Sequence, residues 1–292
     1  MNNTFVIVTW NNQKQIIPLI KSIEKYEPES KMIIIDNNSS DKTQEMILKY
    51  NSPQTKLLSL NSNVGFAKAN NIGVKKAMTK YVTFINPDCV LVSPLVSYLE
   101  NEYHADTGLI GVKILNHDGS LQPSIFKFQR PLSIIVEQFN LGKIMPQKLR
   151  VILSPENSRH DKKIQVDWLI GAFFFTSLDK FNAVGGFSED YFLYAEDMDL
   201  CYKYHLKNYK VVFDPSKQII HIGGTSEHQT GHSKSIKLLN SFCIFARKFN
   251  LSGNIKALYY SYFIKGKIFR FVDRKRSSRY RKNVAFLKEN LK

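Results

Sequence analysis

The sequence predicts an α/β fold built on a mostly parallel central sheet, and three observations point to it. Short apolar runs at residues 5–9, 31–36, 56–60 and 82–85 alternate with amphipathic stretches. Polar turn residues close each run: Asn11-Asn12, Asn37-Asn-Ser-Ser-Asp41, the loop from Asn61, and Asn86-Pro87-Asp88. Four strands alternating with three helices form the pattern of βαβ units, whose strands run parallel.

In chain order, the first strand (5–9) leads to apolar residues at helical spacing over 16–26. A second strand (31–36), a helix (43–50), a third strand (56–60) and a helix (67–78) follow. The fourth strand, 82–85, stops abruptly because Pro87 removes a donor and restricts the residue before it. Beyond it a helix is expected at 94–102. A strand at 107–115 should end in the hairpin-type turn Asn116-His-Asp-Gly119 and return over 121–130. A helix at 132–139 and a loosely patterned polar stretch to residue 160 read as an insertion near the ligand-binding edge. The apolar run 165–176 surrounds Gly171-Ala172. A short helix (178–184) closes at Gly185-Gly186, and an amphipathic helix covers 196–208. Two short strands are expected, 210–213 closed by Asp214-Pro215 and 219–221 closed by Gly223-Gly224. A helix with one apolar side spans 232–249, and an aromatic and then basic tail ends the chain.

A chain of 292 residues suits one large domain, or a domain with an appendage, and can bury roughly three quarters of its unfolded surface. Its 43% apolar content excludes a disordered protein. The net charge of +16 implies an anionic partner: nucleic acid, a phosphorylated ligand or an acidic membrane surface. Cys89, Cys201 and Cys243 lie far apart without metal-ligand spacing, which fits a reducing compartment. The sequence enters a strand at once, without the pattern of a signal peptide, and no run reaches the roughly 18–20 apolar residues of a membrane span. The expected location is the cytoplasm, peripheral on the inner face of a membrane.

Several residues can carry chemistry. Asp88 leaves a carboxylate at the carboxyl end of a central strand, where open α/β sheets bind ligands. It can hold a divalent cation on a diphosphate or simply close an Asx turn. Asp36 ends the second strand and can accept from a ribose or base, or cap a turn; no G-x-G-x-x-G turn precedes it, which argues against a dinucleotide fold. In the stretch 61–73, Gly65 and Gly73 allow close backbone approach. Asn63 and Asn70 can fix a loop or bind a sugar or base. Glu196, Asp197 and Asp199 place three carboxylates in four residues. Such crowding raises carboxyl pKa values and suits a general base, although acidic residues also favour the start of a helix. His221 is either structural or a second metal ligand beside Asp88, suited to Mn²⁺ or Zn²⁺.

Seven segments occur in a specific order. They are V-I-V-T-W-N-N (6–12), I-I-D-N-N-S-S-D (34–41), N-x-G-F-A-x-x-x-N-x-G (63–73), F-I-N-P-D (84–88), G-A-F (171–173), G-G-F-S-E-D-Y-F-L-Y-A-E-D-M-D-L (185–200) and H-I-G-G (221–224). Together they resemble the glycosyltransferase family 2 proteins, and within them the bacterial rhamnosyltransferase-like branch, over about residues 4–245. The resemblance implies a GT-A fold, with a Rossmann-like mostly parallel sheet flanked by helices and a C-terminal helical basic tail. It implies a domain over 1–250, with a nucleotide-binding half of about 1–115 and an acceptor-binding half of about 116–250. The tail is then 251–292. Thr9, Asn11, Asp36, Asn63, Gly65, Asn70, Asn86 and Asp88 would contact the sugar nucleotide. Asp88 and His221 would hold the metal, Mn²⁺ or Mg²⁺. Asn86 departs from the aspartate often found first in the family's D-x-D motif and supplies less negative charge. Asp197 would be the catalytic base, supported by Glu196, and Gly171, Ala172 and Asp199 would form the acceptor site. The implied reaction is inverting transfer, with rhamnose from dTDP-rhamnose favoured and a UDP-hexose as the alternative, to a glycan or lipid-linked glycan in cell-surface polysaccharide synthesis.

From Lys265 to Lys282 nine Lys or Arg face one Asp, so residues 255–282 are expected to meet an anionic membrane or to pack as a helix with a solvated charged end. The aromatic tail could also pair subunits into an oligomer. A nucleic-acid-binding protein is the rival of another class. The basic residues lie beyond the apparent catalytic segments and no nucleic-acid motif occurs, so no nucleic acid is expected. A nucleotidyltransferase lacks support from the E-D-M-D and G-A-F segments. A catalytically dead scaffold is opposed by Asp88, Asp197 and His221.

Overall fold

In the computed structural model, which describes residues 2–153, 160–222 and 234–291, the chain opens with a fully buried strand, β1 (Asn3–Thr9). Helix α1 (Ile16–Tyr26) buries Ile16, Leu19, Ile20 and Ile23, the i, i+3, i+4, i+7 stripe that the sequence shows. Strand β2 (Lys31–Asp36), α2 (Thr43–Tyr50), β3 (Thr55–Ser59), α3 (Phe66–Val74) and β4 (Tyr81–Ile85) continue the alternation. β1 pairs in parallel with both β2 and β4, and β2 with β3. Helix α3 stops short of the expected residue 78, because Lys76 and Ala77 turn back to the carbonyls of Gly73 and Val74.

The next elements are β5 (Cys89–Leu91), α4 (Val96–Glu102), β6 (Thr107–Leu115), β7 (Ile125–Phe126), α5 (Pro131–Gln138) and α6 (Gln147–Leu153). They are followed by β8 (Ile164–Gln165), β9 (Trp168–Leu169), β10 (Phe173–Ser177), α7 (Leu178–Ala183), α8 (Glu196–Leu206) and β11 (Lys210–His221). Helices α9 (Lys234–Lys248), α10 (Ser252–Val272) and α11 (Arg274–Glu289) end the chain. The main sheet runs β3-β2-β1-β4-β10-β6-β11-β5, with β8 also on β11. It is a GT-A-like, Rossmann-like sheet with helices about it and a C-terminal helical segment. Strand β10 is antiparallel to both β4 and β6, so the sheet is mixed where the chain crosses to its second half.

Two expectations change. The two short strands at 210–213 and 219–221 are one strand, β11. Its register on β6 jumps from Asp214 opposite Val112 to Gln218 opposite Lys113, so Pro215 sits in a bulge that needs no ladder donor. The return over 121–130 shrinks to a bridge between Leu121 and Leu115 and the two residues of β7. The described residues form two compact units, 2–125 with 160–222 and 126–153 with 234–291. The second unit has its own core, in which Ile134 of α5 joins Leu239, Cys243, Ile255, Leu258 and Leu287. Gly223-Gly224 and the first two residues of the helix expected at 232–249 lie outside the described residues. Among the described residues no helix is long and apolar enough to cross a membrane, and all three cysteines are free and buried.

Both faces of the sheet in the first unit are buried. Phe5 and Ile7 of β1 join Ile20, Ile34, Phe173 and Phe175 on one face, while Val8, Ile33, Ile35 and Ala69 cluster separately. Helix α3 lies close to the sheet because of Gly73: a Cβ there would stand 2.6 Å from Val6 Cγ1 and 3.2 Å from Ile35 Cδ1. Val6 and Ile35 are fully buried and have no room to yield. Gly73→Ala is therefore expected to destabilise the protein by about 1–3 kcal/mol through overpacking. Urea unfolding followed by circular dichroism measures this, and an unchanged midpoint would show that α3 can shift at no cost.

Candidate active site

The strand ends place the expected residues along one edge. Thr9 lies opposite Asp36 in the β1–β2 ladder. Val6 lies opposite Phe84 in the β1–β4 ladder, so Asn86-Pro87-Asp88 emerges level with Thr9. This is the carboxyl edge of the parallel strands, where ligands bind in open α/β sheets. β10 runs the opposite way, with Phe173 opposite Ile85, so Gly171-Ala172 enters the same edge beside Asn86.

On the expected nucleotide side, Asp36 is buried. Its Oδ2 accepts from Ser39 N at 3.2 Å, and its Oδ1 is buried with no partner among the described residues. A buried carboxylate oxygen left unpaired is costly, so Asp36 fits a ligand that brings an N–H or O–H. The other expected contacts are engaged in building loops. Thr9 is fully buried; its hydroxyl donates to Asn12 Oδ1 at 3.2 Å and its carbonyl accepts from Asn37 N at 2.9 Å. Asn11, at φ +55°, accepts at Oδ1 from Ser40 N at 2.7 Å and Asp41 N at 3.3 Å, which fixes the loop after β2. Asn63 Oδ1 accepts from Asn37 Nδ2 and Gly65 N. Gly65, at φ +84°, allows Phe192 O to approach so closely that a Cβ would stand 2.8 Å away. Asn70 corrects the expectation of a ligand contact: it points inside α3 and donates to Phe66 O at 3.0 Å.

Asp88, Cys89 and His221 offer donor atoms within 4.8 Å of one another. β11 brings His221 opposite Cys89 in antiparallel register. The histidine tautomer follows from its neighbours. Gln122 Oε1 can only accept, so Nδ1 carries the proton across a 2.9 Å contact. Asn86 Nδ2 can only donate, so Nε2 presents its lone pair at 3.4 Å. That lone pair then faces Asp88 Oδ1 at 3.2 Å, acceptor against acceptor. Such a pair needs a cation or a proton between its members, so these residues fit a divalent metal bound through carboxylate and imidazole. Burial pushes the Cys89 thiol well up, and it donates to Ala172 O at 3.6 Å, which leaves Asp88 and His221 as the metal donors.

The acidic trio opens α8. Tyr194 and Ala195 before it both hold φ near +70°, a left-handed conformation costing non-glycine residues on the order of 1–3 kcal/mol each. Asp197 Oδ2 accepts from Gly171 N at 3.2 Å, and Oδ1 from Met198 N at 2.7 Å. Burial raises its carboxyl to about 6. Glu196 is raised further by burial and by the charge of Asp197, and its Oε2 is buried without a partner among the described residues. Asp199 is a second correction. It is fully buried, accepts from Ser188 Oγ at 2.5 Å and Tyr191 Oη at 2.9 Å, and faces Lys203 at 3.6 Å. It anchors the loop before α8 and does not face an open acceptor surface.

Gly171-Ala172 joins these centres. Gly171 N holds Asp197, while Ala172 O accepts from Asn86 N at 3.1 Å. Successive Cα atoms lie about 3.8 Å apart, so the base and the Asn86 loop are fixed to neighbouring peptide groups. Asp36, Asn86, Asp88, His221, Glu196 and Asp197 thus share the edge, whereas Asn70 and Asp199 do not present their side chains to it. Gln122, which orients His221, was missed in the sequence because it lies in a stretch read only as a returning strand.

The glycosyl transferase family 2 model matches residues 4–146. Rhamnosyltransferase WbbL of Escherichia coli (strain K12) is 28% identical over 265 residues, covering 85% of this chain and 94% of that protein. The N-acetylglucosaminyl-diphospho-decaprenol L-rhamnosyltransferase of Mycobacterium tuberculosis (strain ATCC 25618 / H37Rv) is 26% identical over 223 residues, 71% of this chain and 70% of that protein. The crystal structure of GalNAc-T7 with UDP, GalNAc and Mn²⁺ superposes with a TM-score of 0.61 at 16% identity, over 85% of this chain and 48% of that one. The likeness shows a GT-A-like α/β fold.

Gln122→Ala removes the acceptor that holds the His221 Nδ1 proton. Loss of such an outer contact typically costs about 10–100-fold in metal affinity. Calorimetric titration with Mn²⁺ measures it, and unchanged affinity would remove Gln122 from the site.

Proposed function

We propose that this chain is an inverting, metal-dependent glycosyltransferase that moves rhamnose from dTDP-rhamnose to a saccharide or lipid-linked saccharide in cell-surface polysaccharide synthesis. The observation that carries the transfer is the Gly171-Ala172 link, which fixes a raised carboxylate beside the loop bearing Asp88, one of the two cation donors. The two rhamnosyltransferase relatives support the choice of sugar.

Asp36 Oδ1, buried and without a partner among the described residues, accepts a hydrogen bond from the base. Asn86 and Asp88 face the diphosphate, and Asp88 and His221 hold the metal, Mn²⁺ or Mg²⁺. When bound, the metal neutralises negative charge on the departing diphosphate. Asp197 takes the proton from the acceptor hydroxyl as that oxygen attacks the anomeric carbon opposite the leaving group. A single displacement inverts the centre. The two amides on Asp197 favour its ionised form, against the burial that raises it. Glu196, raised further, stays protonated beside it and so avoids placing a second charge on the buried pair. Placement of a base contributes typically about 10²–10⁴-fold.

Asp197→Asn is expected to fold and bind nucleotide normally while losing about 10²–10⁴-fold in transfer. A near-normal kcat with pure acceptor would remove Asp197 as base. The base must be ionised, so kcat/KM should fall as pH drops through about 6, roughly tenfold for each further unit. A profile flat through that region would mean that Asp197 does not carry the proton.

A UDP-hexose donor is the second reading, favoured by the UDP in the GalNAc-T7 structure. Thymine and uracil offer Asp36 the same imide N–H and differ at the C5 methyl. Thermal-shift measurements with dTDP, UDP and GDP sugars, each with Mn²⁺, separate them. Stabilisation by dTDP-rhamnose above the others is expected, and preference for a UDP sugar would move the assignment to a hexose.

A further inference from the structure

We infer that the second unit docks on an anionic lipid bilayer through the end of α10, with a lipid phosphate seated in a basic cavity at the start of α11. Helix α10 has two unlike sides. One packs on α11: Ser277 Oγ donates to Gly266 O at 2.8 Å, and the rings of Tyr262 and Phe269 each lie 5.7 Å from that of Tyr280. The other carries Tyr260, Phe263, Ile264, Ile268, Phe271 and Val272, all exposed and spaced by three and four residues over three turns. Phe271 and Val272, at 87% and 80% exposure, stand at its very end. A contiguous exposed apolar strip of this kind marks an interaction surface.

What covers the strip follows from its charges. Directly after Val272, a cavity of about 480 Å³ is lined by Asp273, Lys275, Arg276, Arg279 and Tyr280. Asp273 is already engaged: it caps α11 by accepting from Arg276 N at 2.9 Å and pairs with Arg276 Nε at 3.2 Å. Lys275 and Arg279 remain as surplus positive charge in the first turns of α11, where the helix dipole already disfavours cations. An anion in the cavity relieves both costs and can accept charge-assisted hydrogen bonds from Arg279. Lys267 and Arg270 extend the basic rim along α10. A bilayer with acidic headgroups meets both features at once, apolar side chains entering the acyl boundary and cations meeting phosphates. A second copy of this chain would instead bring like charges together.

The test uses the full chain and sedimentation with sucrose-loaded vesicles, either phosphatidylcholine alone or phosphatidylcholine mixed with phosphatidylglycerol. The protein is expected to partition onto the mixed vesicles, to a degree that falls with salt, and to remain free of the neutral ones. Phe271→Ser with Val272→Ser changes two solvent-exposed positions, so folding, checked by circular dichroism, should survive while partition falls at least about tenfold. Lys275→Glu with Arg279→Glu should cause a similar fall and remove most of the salt dependence. Equal partition of parent and variants overturns the proposal, as does equal binding to neutral and acidic vesicles. So does a parent that binds no vesicle but forms a dimer lost in the Phe271→Ser, Val272→Ser variant. Sedimentation does not involve the transfer reaction, so docking and the proposed function fail or stand separately.

Discussion

The site depends on two adjacent peptide groups. Gly171 N points to the Asp197 carboxylate and Ala172 O to the backbone of Asn86. The residue at 171 must be small: a Cβ there would stand 3.3 Å from the Asp197 Cβ, close enough to press on the base. The link exists because β10 is inserted antiparallel between β4 and β6. A parallel strand in that position would send its amino end to the opposite edge of the sheet. One reversal of strand direction therefore brings the start of β10 to the edge where β1, β2 and β4 end.

Three carboxylates in four residues behave differently because their surroundings differ. Asp199 is saturated by Ser188, Tyr191 and Lys203, and serves to hold the loop. Asp197 has one amide on each oxygen and a glycine beside it, so its charge is supported while the residue stays half-buried. Glu196 has a buried oxygen without a partner among the described residues and the charge of Asp197 nearby, and is the last of the pair to ionise. The left-handed turn at Tyr194-Ala195 is what starts the helix at Glu196, and Asp199 anchors that turn through Tyr191. Strain and anchor thus act on the same few residues as the base.

The βαβ half was legible because its signals are local. Apolar runs, helical spacing and turn residues fixed β1 to β4 with small errors at the ends. The pairing of Asp88 with His221 was anticipated from their places at strand ends and from the order of motifs, since they lie 133 positions apart and no spacing rule spans that distance. What escaped was non-local. Pro215 reads as a strand end, yet a bulge absorbs it and β11 continues on the same neighbour. Asn70 reads as a ligand contact because its amide suits one, but only helix geometry shows it turning back to Phe66. Gln122 carries no signal at all, because its role depends on a ring brought to it by β11. The core shared by Ile134 and Leu287 carries no local signal either, because it joins them across a long stretch of sequence.

The cation site illustrates how neutral side chains can specify charge. Gln122 presents its oxygen to Nδ1 and Asn86 its amide nitrogen to Nε2, an arrangement that matches a proton on Nδ1 and a lone pair on Nε2. Without them the ring could donate to Asp88 and close the site as an ordinary hydrogen bond. With them the two acceptors face each other at 3.2 Å and the pair is stable only with positive charge between them. Asn86 in place of a first aspartate fits this arrangement.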